Sequence, residues 1–251
     1  MKTRNLIALA AFLGLAGTSH VGAAQKDEAA DVLTGYQEVL KEREGLDPAI
    51  LEKVAQLLAE ETTDPGALTE ILRKLHPEFA KALELAADTE SEEGINQLKA
   101  LAESDNPYLA AESAYYLGRT LMSRQRNEEA LPIFIRIQDD FFDESLRIGE
   151  SIYYQGICEA LTLQRDAASI SLNDFVDLYP DAPERLLADA TDTIDRIENV
   201  LDGSIHDVAD HMDFATNKLE LVDAGERTQG VQDDIIAMLD ELIEQAENSP
   251  P

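Results

Sequence analysis

One cysteine, Cys158, occurs in 251 residues, so no intrachain disulfide can staple this fold. Tryptophan is absent and histidine appears four times, which leaves few of the imidazole groups that acid–base and metal chemistry favour. Basic residues are scarce. Lys and Arg together number 20 against 51 Asp and Glu, for a formal net charge of -31. A field of that sign repels nucleic acid phosphates and anionic lipid headgroups, and makes both poor partners. It favours basic proteins, cationic oligomers or divalent cations; a densely acidic surface is also a means of staying soluble. Nor does any apolar run approach the roughly 20 residues that a helix needs to cross a bilayer.

The run from Leu6 to Gly17 is of another kind. It follows the cationic Lys2 and Arg4 and precedes Val21 and Ala23, small residues at the -3 and -1 positions of a cleavage site, with Ala24 as the alternative. This is the layout of a secretory signal peptide. Residues 1–24 are expected to be removed, leaving a periplasmic or secreted protein.

Past that point every segment shows apolar residues at three-and-four spacing, the helical period. The spacing predicts helices over 27–44, 47–60, 65–75, 77–85 and from a capping box at Thr89 to Leu101. Two further pairs follow, 107–125 with 128–139 and 145–163 with 167–178. Beyond Pro183 come three longer helices, each with one apolar stripe. From Asp181 to the end there are 19 acids and 4 bases, placed mostly opposite those stripes. The chain therefore divides into 1–24, a short-helix region 25–105, a repeat region 106–182, acidic helices 183–247 and a tail 248–251.

The repeat region carries a signature twice. Tyr115-Tyr116-Leu117-Gly118 returns as Tyr153-Tyr154-Gln155-Gly156, 38 residues on. Twelve residues after each glycine stands an alanine, Ala130 and then Ala168, and the second unit closes on Phe175 and a Tyr179-Pro180 stop. Glycine allows two helices to approach, and alanine suits the small space left opposite. Self-similarity of this period points to stacked helical pairs. On these residues, with Leu117 and Phe134 at packing positions, the chain resembles the tetratricopeptide-repeat superfamily. It is similar, too, to exported helical-repeat proteins of planctomycete-type bacteria. Ala114 and Ile152 stand where the repeat normally has tryptophan, and Gln155 and Leu172 depart from it in the second unit.

The resemblance implies an all-α fold, a right-handed α-α superhelix of antiparallel pairs. It further implies a scaffold that holds a protein or peptide in a concave groove, with no catalytic residues or cofactor. Tyr115, Tyr116, Tyr153 and Tyr154 are the candidate contacts, with one member of each pair facing the groove. Register turns Leu117 and Gly118 inward, which leaves Tyr115 and Tyr153 as the outward members. Arg119, Arg124 and Arg126 form a small basic spot that could grip a partner carboxylate. The partner expected is a protein or peptide, with a basic one favoured by charge. The alternative is a structural, envelope-associated protein that associates with itself through its C-terminal helices. An apolar patch exposed after Gly230 would favour that second reading.

Catalytic constellations are thin. Cys158 reads as a buried structural residue, with no base beside it to favour the thiolate. His206, Asp207, Asp210 and His211 fall at spacings that could chelate a transition metal, but acids are so common here that a solvated, charge-relieving face is the reading taken, and no metal is expected.

Overall fold

The computed structural model describes residues 19–61, 64–88 and 91–248, of which 19–26 by their backbone alone. It is all-α. Among the described residues there is no strand, and twelve helices follow in order. They are α1 (Ser19–Lys41), α2 (Pro48–Ala59), α3 (Gly66–Leu75), α4 (Pro77–Ala86), α5 (Glu93–Leu101), α6 (Pro107–Ser123), α7 (Asn127–Asp140), α8 (Ile148–Leu161), α9 (Arg165–Leu178), α10 (Glu184–Asn199), α11 (Ile205–Glu220) and α12 (Glu226–Asn248). Most of the expected signal peptide, 1–18, and the Thr89 cap lie outside the described residues. Residues 19–24 belong to the backbone of α1, which starts ahead of the expected Asp27.

Helix starts follow local chemistry. Asp47 accepts a hydrogen bond from the Ala49 N–H at 3.0 Å, ahead of Pro48, and Asn106 accepts from Tyr108 and Leu109 ahead of Pro107. Ser204 and Asp207 form a reciprocal cap on α11: the Ser204 hydroxyl accepts from the Asp207 N–H, while the Asp207 carboxylate accepts from the Gly203 N–H. Two residues that usually break helices lie inside them. Pro132 is the sixth residue of α7, deep enough to forfeit a helical hydrogen bond. Gly230 lies inside α12 with open space around it.

Packing is sequential. Each of α3 to α9 packs on its successor, as do α1 on α2 and α11 on α12; α8 also reaches α10, and α4 reaches α6. The repeat period survives in the turns. Gln125 and Leu163, 38 positions apart, each adopt a left-handed conformation, with φ 60° and 62°. The next residue's N–H then reaches back five positions, Arg126 to Leu121 and Gln164 to Glu159. Val222 and Asp223 repeat the closure between α11 and α12, with Val222 at φ 59°.

The paired glycines serve close approach, but their neighbours are not the alanines. A Cβ on Gly118 would lie 2.7 Å from the Phe134 ring, and one on Gly156 would lie 2.6 Å from Leu172. Ala130 and Ala168 sit one turn earlier, fully buried. Leu117, Phe134 and Phe175 are buried as expected, and Pro180 closes α9 half-buried.

One polar group crosses this core. Arg147, just before α8, is buried, and so is Glu112 of α6, whose carboxylate accepts from its Nε at 3.2 Å and from Nη2 at 3.1 Å. The same guanidinium donates to Thr69 of α3 and Glu150 of α8, both at 2.9 Å. Burial pushes the Glu112 carboxyl up, while Arg147 and Thr69 pull against it. Glu112→Ala would take the fully buried carboxylate from the guanidinium, leaving it Glu150 and Thr69, and is expected to cost up to about 3–5 kcal/mol in urea unfolding. Pairing it with Arg147→Met should recover much of that loss. Gly118→Ala is expected to destabilise by about 1–3 kcal/mol in the same measurement, because the fully buried Phe134 has nowhere to move.

Candidate interaction surface

The tyrosine runs are core. Tyr115, Tyr153 and Tyr154 are 2%, 6% and 8% exposed, so Tyr115 and Tyr153 do not face outward. Their helices are covered on several sides: α6 meets α5 and α7, and α8 meets α7, α9 and α10. Two adjacent residues on a helix differ by about 100°, and here both directions end in protein.

Together the rings form a spine. Phe79 meets Tyr116, Tyr116 meets Tyr115, and Tyr115 meets Tyr154, with centroids 5.3–6.3 Å apart. Tyr154 continues to Tyr153 at 4.8 Å, then Phe175 at 5.3 Å and Tyr179 at 6.2 Å. Burial raises the Tyr115 and Tyr153 hydroxyls well above the usual phenol range. Tyr116 is the half-buried member, and it borders a shallow cleft of about 460 Å³ beside Thr69 and Arg73.

The basic spot is also engaged. Arg119 lies over the Tyr154 ring at 4.2 Å and donates to the Tyr115 hydroxyl at 2.9 Å. Arg124 donates to the Asp88 and Ser91 carbonyls, both at 2.8 Å, and pairs with Glu92 at 3.1 Å, closing the joint between α4 and α5. Arg126 is shared by Glu92 and Glu129. These arginines join helices.

The acid–histidine cluster has its cations built in. Arg165 of α9 reaches Asp207 at 2.6 Å and Asp210 at 3.0 Å, and Arg196 of α10 takes the other oxygen of Asp210 at 2.9 Å. Nδ1 of His211 lies 3.1 Å from Asp207, while His206 is exposed. Burial raises the Asp207 carboxyl, but the Gly203 N–H, Arg165 and His211 outweigh it and hold the group below its ordinary value. No group of three or more potential ligands converges among the described residues. Cys158 is fully buried, and burial, with Glu159 beside it, pushes its thiol up to about 12. Such a thiol is inert.

What remains uncovered is the C-terminal pair. Among the described residues, nine of the fourteen exposed large apolar side chains lie between Leu201 and Ile243, which singles out this region. Its own core is small: Val208, Phe214, Ala215 and Val231 are buried, with Ile235 packed against the last three. Polar contacts dock it on the body. Glu128 of α7 receives Lys218 at 2.6 Å and also Arg227, and Arg227 donates to the Thr162 carbonyl at 2.8 Å.

Beyond Val231, α12 has no buried residue. Ile236, Leu239 and Ile243 are 58%, 37% and 56% exposed and recur at the spacing of one helix face. Sequence reasoning found this helix and its stripe, but not that the stripe is left open.

No family model, curated protein or solved structure matches the chain.

None of the described helices is long and apolar enough to cross a membrane.

Tyr115→Ala and Tyr153→Ala are expected to lower stability by about 3–5 kcal/mol each, as truncations of buried aromatics do. A thermal melt checks this; unchanged melting would place both rings at a surface.

Proposed function

We propose that this chain is an exported, acidic helical-repeat scaffold of the tetratricopeptide kind, which holds another protein and catalyses nothing itself. Export rests on the pattern of residues 1–24, and the repeat kinship rests on the paired Tyr-Tyr-x-Gly runs and their repeated turns. The observation that carries the binding role is the open apolar face of α12, at Ile236, Leu239 and Ile243. The site is thus moved from the tyrosines of the repeats to the C-terminal helix. The repeats become the rigid mount.

Self-assembly through the same helices is the second reading, and the exposed face after Gly230 favours it as well. Against it stands charge. From Thr228 to Asn248 the helix carries six carboxylates and no base, so a second copy brings only like charge to the contact.

The test is cross-linked capture from the exported fraction, with the mature chain and its Ile236→Ser/Ile243→Ser variant as baits. Both side chains are exposed, so the variant should melt within about 0.5 kcal/mol of wild type. The proposal expects a partner that the wild type captures and the variant loses. A partner held equally by both baits would remove α12 from the function.

A further inference from the structure

The apolar and acidic residues of α12 are sorted around its axis with little mixing. At about 100° per residue, Ile235, Ile236, Leu239, Leu242 and Ile243 fall on one side of the helix. Asp233 and Glu244 fall away from it, toward the opposite side. Asp234 and Glu241 border one edge of the stripe; Asp240 and Glu247 border the other. The stripe from Val231 to Ala246 runs about 22 Å at 1.5 Å per residue, the length of four helical turns. Only its beginning, Val231 and Ile235, is packed on α11.

Resting on the reading of α12 as the docking helix, we propose that its occupant is a basic amphipathic helix of another protein. That helix lays leucine-type side chains along the stripe and sets Lys or Arg against both acidic edges. An α-helix has no free backbone groups to offer an extended strand, so recognition must run through side chains, as when one amphipathic helix packs on another. Edge charges then select the partner, because flanking positions of paired helices face each other across the seam.

The other occupants are disfavoured by the same edges. A second copy in antiparallel register sets Asp234 against Glu241, with no cation on the exposed half of either helix. An anionic lipid surface meets the same repulsion. The two cations that the described residues of the pair's own joint provide, Lys218 and Arg227, are already taken by Glu128.

The experiment uses the mature full-length chain and three synthetic helical peptides with the same leucine heptads, flanked by lysine, by glutamine or by glutamate. Fluorescence anisotropy should rank them in that order, the lysine peptide at least about thirtyfold tighter than the glutamate peptide at low salt. Ile236→Ser/Ile243→Ser should weaken the lysine peptide by at least about tenfold. A quadruple variant, Asp234→Asn/Asp240→Asn/Glu241→Gln/Glu247→Gln, should erase the preference for lysine over glutamine yet keep the binding of the glutamine peptide.

Equal binding of the three peptides, or no binding of the lysine peptide, overturns the proposal. So does sedimentation equilibrium showing a dimer that Ile236→Ser/Ile243→Ser converts to monomer. These failures are separable from that of the docking reading. If the serine variant loses its captured partner while the lysine peptide is not preferred, only the basic-helix assignment falls. If the variant keeps that partner, the role of α12 falls with it.

Discussion

The guanidinium of Arg147 is the point on which the body of this protein turns. Thr69 belongs to α3, Glu112 to α6 and Glu150 to α8, and Arg147 contacts all three from the joint before α8. The Tyr115 ring lies under the same group at 4.4 Å. A buried charge is tolerated only when its partners are held in place, and here they come from the short-helix region and from both repeats. One ion pair thereby fixes where the first third of the chain sits on the repeat, and where the first repeat sits on the second. Apolar packing supplies the adhesion, and this polar group supplies the register.

Much of this architecture is legible in the residues. The 38-residue echo of Tyr-Tyr-x-Gly marks equivalent helices, and the period extends further than the motif. Glu112 and Glu150 are 38 apart and both serve Arg147, and Gln125 and Leu163 close equivalent turns. The exposure of the tyrosines was not legible. A helical period says which residues share a face, but not how many faces are covered. In a two-helix hairpin, Tyr115 and Tyr153 would face water. In a stack, where α6 and α8 are enclosed, they face the next helix. Phe134 over Gly118 was hidden for a similar reason, since spacing from glycine to alanine cannot show which turn of the opposing helix meets the gap.

The C-terminal pair follows different physics. Few buried apolar residues, Val208, Phe214, Ala215 and Val231, hold these two long helices, and the docking is shared with ions. Glu128 accepts Lys218 and Arg227 from the pair, and Arg165 and Arg196 from the body hold Asp207 and Asp210. Sequence alone offered His206, Asp207, Asp210 and His211 as a cluster of donors because their cations lie 14 to 45 positions away along the chain. Local spacing shows the carboxylates and conceals the arginines.

Those arginines give the acid surplus its meaning. Arg124 and Arg126 tie the α6–α7 turn to the joint before α5, Arg136 ties α7 to Glu103, and Arg165, Arg196 and Arg227 tie the last pair to the body. In a chain with so few bases, these are spent on joints between helices. The far half of α12 receives none, although it carries four acids, Asp240, Glu241, Glu244 and Glu247, around its apolar stripe. An acidic edge without internal counter-charge weakens contact with any other acidic surface and strengthens contact with a basic one. Internal pairing has used up the local cations, and the uncovered stripe has kept its acids. That difference separates the part of this surface that completes the fold from the part that can select a partner.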